Sequence, residues 1–261
     1  MIERPYISLI LPAYNERRGI GRTIAEAQEY FNSRALSHEI IVAADGNDGT
    51  REHVAELAAG RNDLKVLGSV ERRGKGHGIR HAVQLARGRI IGFTDADNKT
   101  PITEFDKFRA ALDGGCDLVI GSRGLRESRI EKKQKIYRQI GSRVFRWVLR
   151  AILSLPGIGD TQCGFKFFQQ AVAKDLFHRQ RIDGYMFDVE ILYLAIQSGY
   201  RIEQIPIRWR DDGDSRLAVI SGNLRNVFDV LKIRFTRYPA RLQIVTSEEE
   251  ERDGDEAIRA A

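Results

Sequence analysis

The stretch RIIGFTDAD, residues 89–97, joins a short apolar run to a pair of acidic residues. Two earlier stretches share this design: YISLIL (6–11) runs into PAYNE, and EIIVA (39–43) runs into ADGNDGT. Short runs of β-branched and aromatic residues, bounded by Gly, Pro, Asn and Asp, are typical of buried strands. Because helical patterns of about 10–15 residues separate them, we predict an α/β fold with a mostly parallel, Rossmann-like sheet flanked by helices.

The spacing of apolar residues predicts the remaining elements. The expected helices cover residues 19–31, 50–59, 75–87, 144–155, 186–198 and 217–235. Further strands are expected at 64–70, 117–121, 165–168 and 201–209. The last helix, one of two amphipathic helices in the C-terminal half, has a row of apolar residues along one face: Leu217, Ile220, Leu224, Val227, Leu231 and Phe235. We expect this row to pack on the core, and the alternative is that this helix and the one at 144–155 lie on a membrane surface.

The composition is that of an ordinary globular protein: 261 residues, 42% apolar and 30% charged, with a formal net charge of +6. The longest apolar runs, such as residues 6–11, are far shorter than the roughly 20 residues that a membrane-spanning helix needs. Cys116 and Cys163 form neither a disulfide framework nor a CxxC metal spacing. Since the sequence does not open with a leader-like segment, we expect a cytoplasmic protein that is at most peripheral to the membrane.

Acidic residues follow the predicted strands at the edge where an open α/β sheet binds its ligands. Asp95 and Asp97 stand one residue apart directly after a strand, so they can share a hard cation such as Mg²⁺ together with a bound diphosphate. The same spacing recurs at 212–214 and 253–255, but neither of those pairs follows a buried strand. No GxGxxG or GxxxxGK[ST] sequence follows the first strand, which excludes the usual dinucleotide and P-loop sites there.

Basic residues are concentrated in one segment, because residues 121–150 contain ten Lys and Arg against two Glu, a net charge of +8. This segment is either a solvated face or a site for phosphate groups on nucleic acid, anionic lipid or a phosphorylated substrate. Residues 248–261 hold seven acidic residues against two Arg, which predicts a disordered acidic tail.

Three motifs at the strand ends, LPAYNE, ADGNDGT and TDADNKTP, resemble those of family 2 glycosyltransferases of the GT-A type. Four later motifs are similar to the branch that glycosylates polyprenyl (dolichyl-type) phosphates: GSR (121–123), DTQCGFK (160–166), FDVE (187–190) and DSR (214–216). The resemblance covers residues 5–236. It implies a GT-A domain at 1–236, with a nucleotide-sugar half at about 1–120 and an acceptor half at about 121–236, and a C-terminal extension at 237–261.

The resemblance also implies roles for individual residues. Those assigned to the nucleotide sugar are Pro12, Tyr14, Glu16, Asp45, Lys75, Asp95 and Gln162. Asp97 would be a direct ligand of Mg²⁺ or Mn²⁺, with Asp95 beside it. The residues assigned to the acceptor phosphate are Arg123, Arg138, Ser142 and Arg210. Asp188 is the candidate general base.

The implied reaction is the transfer of a hexose, with inversion, from a nucleotide diphosphate sugar to a polyprenyl phosphate at a membrane surface. A UDP-hexose, UDP-glucose in particular, is the favoured donor and GDP-mannose the alternative, because Lys99 stands where mannose-transferring members often have Gln. The turn at Asp45 is one residue shorter than in the family and lacks its second acid. Two other functions stay open: transfer to a soluble or glycan acceptor, and non-catalytic binding of nucleotides or nucleic acid. We expect no nucleic-acid partner, since aromatic residues do not alternate with the basic ones.

Overall fold

The architecture is a seven-stranded sheet between two layers of helices, seen in a computed structural model that describes residues 4–131, 149, 151–210 and 221–242. The strand order is β3-β2-β1-β4-β7-β5-β8, and β7 alone runs antiparallel to its neighbours. A short parallel pair, β6 and β9, forms a second sheet. The predicted α/β class and mostly parallel sheet are therefore confirmed.

The strands have these bounds: β1 Ile7–Tyr14, β2 His38–Asp45, β3 Leu64–Leu67, β4 Ile90–Thr94, β5 Leu118–Ser122, β6 Arg129–Ile130, β7 Phe165–Gln169, β8 Ile202–Pro206 and β9 Arg208–Trp209. The helices are α1 Ile20–Ser33, α2 Thr50–Ala58, α3 Lys75–Leu85, α4 Phe105–Asp113, α5 Gln170–Arg179, α6 Phe187–Gln197 and α7 Ser221–Phe235. A 3₁₀ turn, Ile102–Glu104, precedes α4.

The central strands are apolar on both sides because helices cover both faces of the sheet. Side chains alternate along β1, so Ile10 packs in the core beneath α3, α5 and α6, while Leu9 and Leu11 pack in the core beneath α1 and α4. Strand β7 follows the same rule, with Phe167 on one face and Phe168 on the other. The two cores fix the sheet, and the sheet in turn fixes the strand ends that carry the predicted site.

Several element bounds differ from the predicted ones. Strand β1 continues through Pro12 to Tyr14, because β1 pairs with β4 only as far as Ile10, and beyond that residue proline meets an open edge. The expected strand 64–70 ends at Leu67, and 201–209 divides into β8 and β9, which belong to different sheets. Helices α4 and α5 are not among the predicted elements.

The apolar row predicted to pack on the core lies on the surface of α7 wherever its side chains are described. Val227, Leu231 and Phe235 are exposed, and Val230 and Ile233 provide the buried face instead. The prediction of core packing was therefore wrong for these residues, because the helix is rotated relative to the predicted orientation. Leu217, Ile220 and the side chain of Leu224 are outside the described part.

The expected helix 144–155 is described only at residue 149 and from residue 151 onward. Its helical turn at 151–153 contributes Leu153, and together with Leu149 and Leu155 this residue is buried in the core. The described leucines of this segment thus face the protein interior, so the alternative of contact with a membrane surface is wrong for them. Across the described residues, none of the helices has both the length and the apolarity to cross a bilayer.

Candidate active site

The ends of β1, β2 and β4 lie side by side, as the sequence predicts. Tyr14 and Asp45, the last residues of their strands, are partners in the parallel register of β1 and β2. Asp95 follows directly on Thr94, the last residue of β4, which pairs with β1 from the other side. The aromatic residue and the carboxylates therefore line one edge of the sheet.

The ring of Tyr14 is 40% exposed and carries a cation on its face. The guanidinium carbon of Arg72 lies 4.3 Å from the ring centroid, and Arg72 Nη2 donates a hydrogen bond of 2.9 Å to the hydroxyl of Tyr185. Pro12 is half-buried within β1, and the backbone N–H of Glu16 donates to Thr50 Oγ1 over 2.9 Å. A partly exposed aromatic ring with a cation over one face suits a nucleoside base.

The carboxylate of Asp45 organises the loop 69–74 that leads into α3. Its Oδ2 accepts hydrogen bonds from the N–H of Arg73 (2.8 Å) and Gly74 (3.3 Å), and its Oδ1 accepts one from the N–H of Ser69 (3.3 Å). Gly74 has a φ of 116°, a backbone conformation that favours glycine. Asp45 therefore fixes the backbone of the loop 69–74 beside the ends of β1 and β2.

The two acidic residues after β4 are each paired with a lysine. Lys75 Nζ, at the start of α3, lies 2.6 Å from Asp95 Oδ1, and Lys99 Nζ lies 3.1 Å from Asp97 Oδ2. Burial alone would lower the pKa of the Lys75 ammonium group. The negative charges of Asp95 and, next, Asp188 outweigh burial and raise this pKa. The lysines partly neutralise the two carboxylates.

Asp95 and Asp97 fit a divalent cation of the hard type. Their side chains are 44% and 39% exposed, and carboxylate oxygens are the ligands that Mg²⁺ and Mn²⁺ favour. Among the described residues, no group of three or more His, Cys, Asp or Glu could enclose a metal. Two carboxylates are a usual protein contribution to a Mg²⁺ site, at which water and substrate phosphates supply the other ligands.

The loop 160–164, which we call the sugar-side loop, is tied to the predicted acceptor residue Arg123. Arg123 donates hydrogen bonds to Asp160 from Nε to Oδ2 (2.7 Å) and from Nη2 to Oδ1 (2.9 Å). The backbone N–H of Arg123 also donates to Asp160 Oδ2 over 3.1 Å. Burial alone would raise the pKa of Asp160, but the hydrogen bonds and charge of Arg123 outweigh it and lower the pKa to about 2. The N–H of Gln162 donates to Asp160 Oδ1 over 3.2 Å, which ties this residue into the same unit.

The far end of the sugar-side loop rests on Asp95. A Cβ atom at Gly164 would overlap the carboxylate of Asp95, so only glycine permits this close approach. Asp95 also adds to the negative potential at Arg123. The predicted metal ligands and the predicted acceptor-binding cation therefore meet on either side of one short loop.

Asp188, at the start of α6, is buried and paired. Lys166 Nζ lies 2.6 Å from Asp188 Oδ1, and the two side chains are 0% and 5% exposed. Burial raises the pKa of the Asp188 carboxyl, while Lys166 and Lys75 offset part of that rise. Asp188 is therefore buried next to the strand-end residues, because its charge acts on Lys75 and is itself affected by Asp95.

The remaining predicted acceptor residues are only partly described. Arg210 is half-exposed, its Nε lies 3.3 Å from Glu131 Oε2, and its backbone N–H donates to the carbonyl of Lys99 over 2.9 Å. The guanidinium group of Arg123 lies over the ring of Trp209, with its carbon 5.4 Å from the ring centroid. Arg138 and Ser142 lie outside the described residues.

Four residues of this region have no predicted role: Arg72, Asp160, Lys166 and Tyr185. For Lys166 the sequence does contain a signal, since a lysine in the aromatic run FKFF interrupts a strand that is otherwise apolar. Asp160 belongs to the DTQCGFK motif but has no local pattern that indicates its partner. Arg72 and Tyr185 are 113 residues apart, and only the fold brings them together.

Comparison with known proteins places this site in a family. The sequence profile described as Glycosyl transferase family 2 matches residues 8–177, which include the strand-end motifs and the sugar-side loop. The chain belongs to this family. It is a glycosyltransferase, as the resemblance implied.

Curated relatives match most of the chain. A dolichyl-phosphate beta-glucosyltransferase of Trichomonas vaginalis is 31% identical over 242 residues, which cover 87% of this chain and 72% of the relative. The enzyme of the same name from Dictyostelium discoideum is 30% identical over 247 residues, covering 90% and 75%. The human one is 29% identical, covering 87% and 74%.

Solved structures share the fold. Glucosyl-3-phosphoglycerate synthase from Mycobacterium tuberculosis, in complex with Mn²⁺, UDP and phosphoglyceric acid, superposes with a TM-score of 0.66 at 21% identity, covering 88% of this chain and 78% of that one. Mannosyl-3-phosphoglycerate synthase from Rubrobacter xylanophilus gives 0.64 at 19% identity, covering 88% and 72%. The predicted GT-A fold is thus confirmed, and the roles of individual residues stay predictions.

Proposed function

We propose that this glycosyltransferase transfers glucose from UDP-glucose to a polyprenyl (dolichyl-type) phosphate, with inversion at the sugar. The observation that carries the proposal is the contact of the sugar-side loop with Asp95 at one end and with Arg123 at the other. This contact places Asp95, one of two carboxylates suited to a metal ion with its bound diphosphate, near the guanidinium of Arg123, which is suited to a phosphate group. Relatives that are 30–31% identical, of whose length the matches cover 72–75%, are named dolichyl-phosphate beta-glucosyltransferases.

On the donor side, Tyr14 and Asp45 would surround the base and Lys75 would face the diphosphate. Asp95 and Asp97 would hold Mg²⁺ or Mn²⁺, which when bound offsets the negative charge that develops on the departing UDP. Lys75, 2.6 Å from Asp95, adds a fixed positive charge at the same place. Such charges stabilise the transition state because they are in position before the reaction starts.

On the acceptor side, Arg123 and Arg210 would hold the phosphate in line with the sugar. An oxygen of that phosphate forms the new bond to the anomeric carbon, while the bond to UDP breaks and its electron pair leaves with UDP. The α-linked donor thus gives a β-linked product. A phosphate monoester, with a second pKa near 6, is largely dianionic at neutral pH, so no proton has to be removed.

Transfer to a soluble sugar hydroxyl is the second candidate function, and it would need a general base. Asp188 is the carboxylate predicted for that role, but it is 4% exposed and its Oδ1 is held by Lys166. This arrangement favours an acceptor that is already ionised. Asp188 therefore enters the proposal as a structural partner of Lys166.

Helix α7 supports a lipid acceptor, because it presents apolar residues to the surface: Val227, Phe228, Leu231 and Phe235. Arg225, Lys232 and Arg234 are exposed on the same helix. Apolar side chains flanked by cations are typical of helices that lie on anionic membranes. We propose that α7 attaches the enzyme peripherally to the membrane that contains its acceptor.

Vesicle flotation tests the membrane attachment. Wild-type protein should float with vesicles that contain anionic lipid, and Phe228→Ser with Phe235→Ser should reduce the bound fraction at least fivefold. Leu85→Ser, which removes a 53% exposed leucine from α3, is the matched control and should bind as the wild type does. Equal flotation of both variants would contradict the role of α7.

The reaction is tested with purified protein, a short polyprenyl phosphate, Mn²⁺ or Mg²⁺ and a panel of UDP- and GDP-hexoses, with mass spectrometry of the lipid. UDP-glucose should give a glycosylated lipid, and EDTA or Asp97→Ala should abolish it. Asp253→Ala removes a carboxylate of the same DxD spacing from the C-terminal segment and should leave turnover unchanged. Donor hydrolysis without lipid product would favour a soluble acceptor, and no reaction with any donor would contradict the proposal.

A further inference from the structure

We propose that Lys166 is a positioning residue that holds the sugar-side loop in its working shape. Its ammonium group is fully buried and donates three hydrogen bonds: to the carbonyls of Thr161 (3.0 Å) and Cys163 (2.7 Å), and to Asp188 Oδ1 (2.6 Å). A lysine ammonium has three N–H donors, so every donor is used. Two of the three acceptors are backbone atoms of the sugar-side loop.

Strand β7 does not require a charged side chain at position 166. Lys166 stands in β7 among Phe165, Phe167 and Phe168, all buried, and an apolar side chain of similar length would fill the same space. Burying an ammonium costs several kcal/mol before its partners repay it, and apolar replacements of buried ion pairs are often neutral or stabilising. The charge is therefore explained by what it holds in place.

The held loop connects both halves of the proposed site. At its first residue Asp160 orients Arg123, and at its last residue Gly164 rests on Asp95. Between them, Lys166 fixes the backbone at 161 and 163, on either side of Gln162. A shift of this loop would displace the sugar, the metal ligand and the acceptor-binding cation together.

Asp188 anchors the lysine from the opposite side. It stands in the first turn of α6, where the helix dipole favours a negative charge. The ring centroid of Phe93 lies 5.9 Å from Lys75 Nζ and 5.6 Å from Lys166 Nζ. The loop is thus tied through Lys166 to α6, and both lysines contact the same phenylalanine ring.

A second buried ion pair provides a matched control. Arg179 and Asp175, in α5, are 5% and 0% exposed, and Asp175 also accepts hydrogen bonds from Tyr200 (3.0 Å) and from the N–H of Leu242 (2.8 Å). Within the described contacts, this pair touches none of the predicted site residues. Its removal changes the stability of the fold without acting on the sugar-side loop.

The experiment compares two double variants, each in a Cys116→Ser background. The first combines Lys166→Met with Asp188→Asn, and the second, the control, combines Arg179→Met with Asp175→Asn. Cys163 lies in the loop and its thiol is 2% exposed, so the rate at which a thiol reagent labels it reports opening of the loop. We expect labelling at least tenfold faster in the first double variant and within threefold of wild type in the second. Similar rates in both variants would contradict the proposal, because labelling would then follow general destabilisation.

The catalytic readout rests on the proposed function. In the first double variant kcat should fall at least tenfold while the dissociation constant of UDP with Mn²⁺ changes less than threefold; in the control variant both should stay within threefold. An opened loop with unchanged kcat would overturn the positioning role. If the wild type glycosylates no lipid with any donor, the proposed function fails, and the labelling rates alone decide the inference.

Gly164→Ala tests the same loop without removing a buried charge. The added methyl group would overlap the carboxylate of Asp95, so either the loop or that carboxylate must shift although the Lys166–Asp188 pair remains. We expect faster labelling of Cys163 and a lower kcat, with a smaller loss of stability than in either double variant. Labelling at the wild-type rate would show that the loop does not depend on its contact with Asp95.

Discussion

The two sides of the cleft are built by different means. On the nucleoside side, Tyr14 is 40% exposed, and Asp45 shapes the loop 69–74 through hydrogen bonds to backbone N–H groups. On the sugar side, the bonds are made by buried carboxylates, Asp160 with Arg123, whose side chain is 29% exposed, and Asp188 with the fully buried Lys166. A charge that is paired in a dry interior is costly to separate, whereas an exposed contact is not.

This difference indicates where the enzyme tolerates change. The nucleoside side consists of separable contacts, each of which should alter donor affinity by its own amount. The sugar side is a connected unit, in which one substitution should alter stability and turnover together. The following predictions compare the two sides.

The largest effect is expected for Asp160→Asn on the sugar side. The bidentate pair with Arg123 is lost, and breaking a buried ion pair by removing one partner typically costs about 3 kcal/mol of unfolding free energy. We also expect kcat/KM for the acceptor to fall roughly 100-fold, which corresponds to about 3 kcal/mol. Urea unfolding measures the stability and steady-state kinetics the activity. A loss of stability with full activity would contradict the role of Arg123 in binding the acceptor.

The pH dependence of stability should differ between the wild type and Asp160→Asn. The pKa of Asp160 falls from its ordinary value of 3.8 to about 2 in the folded state, so its ionised form contributes about 2 kcal/mol of unfolding free energy. Because the folded-state pKa is the lower one, this contribution is present above about pH 4 and is lost as the pH falls towards 2. Urea unfolding of both proteins between pH 2 and 6 should show their stabilities converging at low pH, and a constant gap would contradict the assignment.

Tyr14→Ala is expected to act on the nucleoside side alone. Stacking of a base on an aromatic ring contributes about 1–3 kcal/mol, so KM for the donor should rise roughly tenfold or more while kcat and stability change little. Tyr14→Phe keeps the ring and should behave as wild type. A fall in kcat equal to the rise in KM would show that the two sides are coupled.

The smallest effect is expected for Asp45→Asn. Asparagine keeps one oxygen that can accept backbone N–H groups, so about 1 kcal/mol is lost from the loop 69–74. The dissociation constant of UDP should rise about three- to fivefold, as measured by calorimetry. An effect as large as that of Asp160→Asn would contradict the proposed difference between independent contacts on the nucleoside side and a connected unit on the sugar side.

The sequence was sufficient to predict the positions of β1, β2 and β4, although β1 and β2 extend three and two residues beyond their predicted ends. Strands β1, β2 and β4 are continuous apolar runs closed by turn residues, which is local information. Helix α5 was missed because it begins at Gln170, immediately after β7 ends at Gln169, with no turn residue to mark the boundary. The exposed face of α7 was assigned to the core because its rotation depends on tertiary packing rather than on spacing.

The candidate site was predictable to the same extent. The order of the strands brings Tyr14, Asp45 and Asp95 together, and that order follows from the fold class. The pairing of Lys166 with Asp188, 22 residues apart, depends on how α6 packs against β7 and leaves no pattern in the sequence. Residues whose action depends on such a partner are visible only in three dimensions.

The antiparallel strand β7 determines when the cleft can form during synthesis. Strands β4 and β5 do not pair with each other, since β7 lies between them and bonds to both. A nascent chain that has emerged only as far as β5 therefore has the DxD residues but an incomplete sheet, and it lacks the loop that covers Asp95. Contacts between distant parts of a chain form late. The cleft is thus completed only after residues 160–169 have left the ribosome, so a truncated chain does not present a finished donor site.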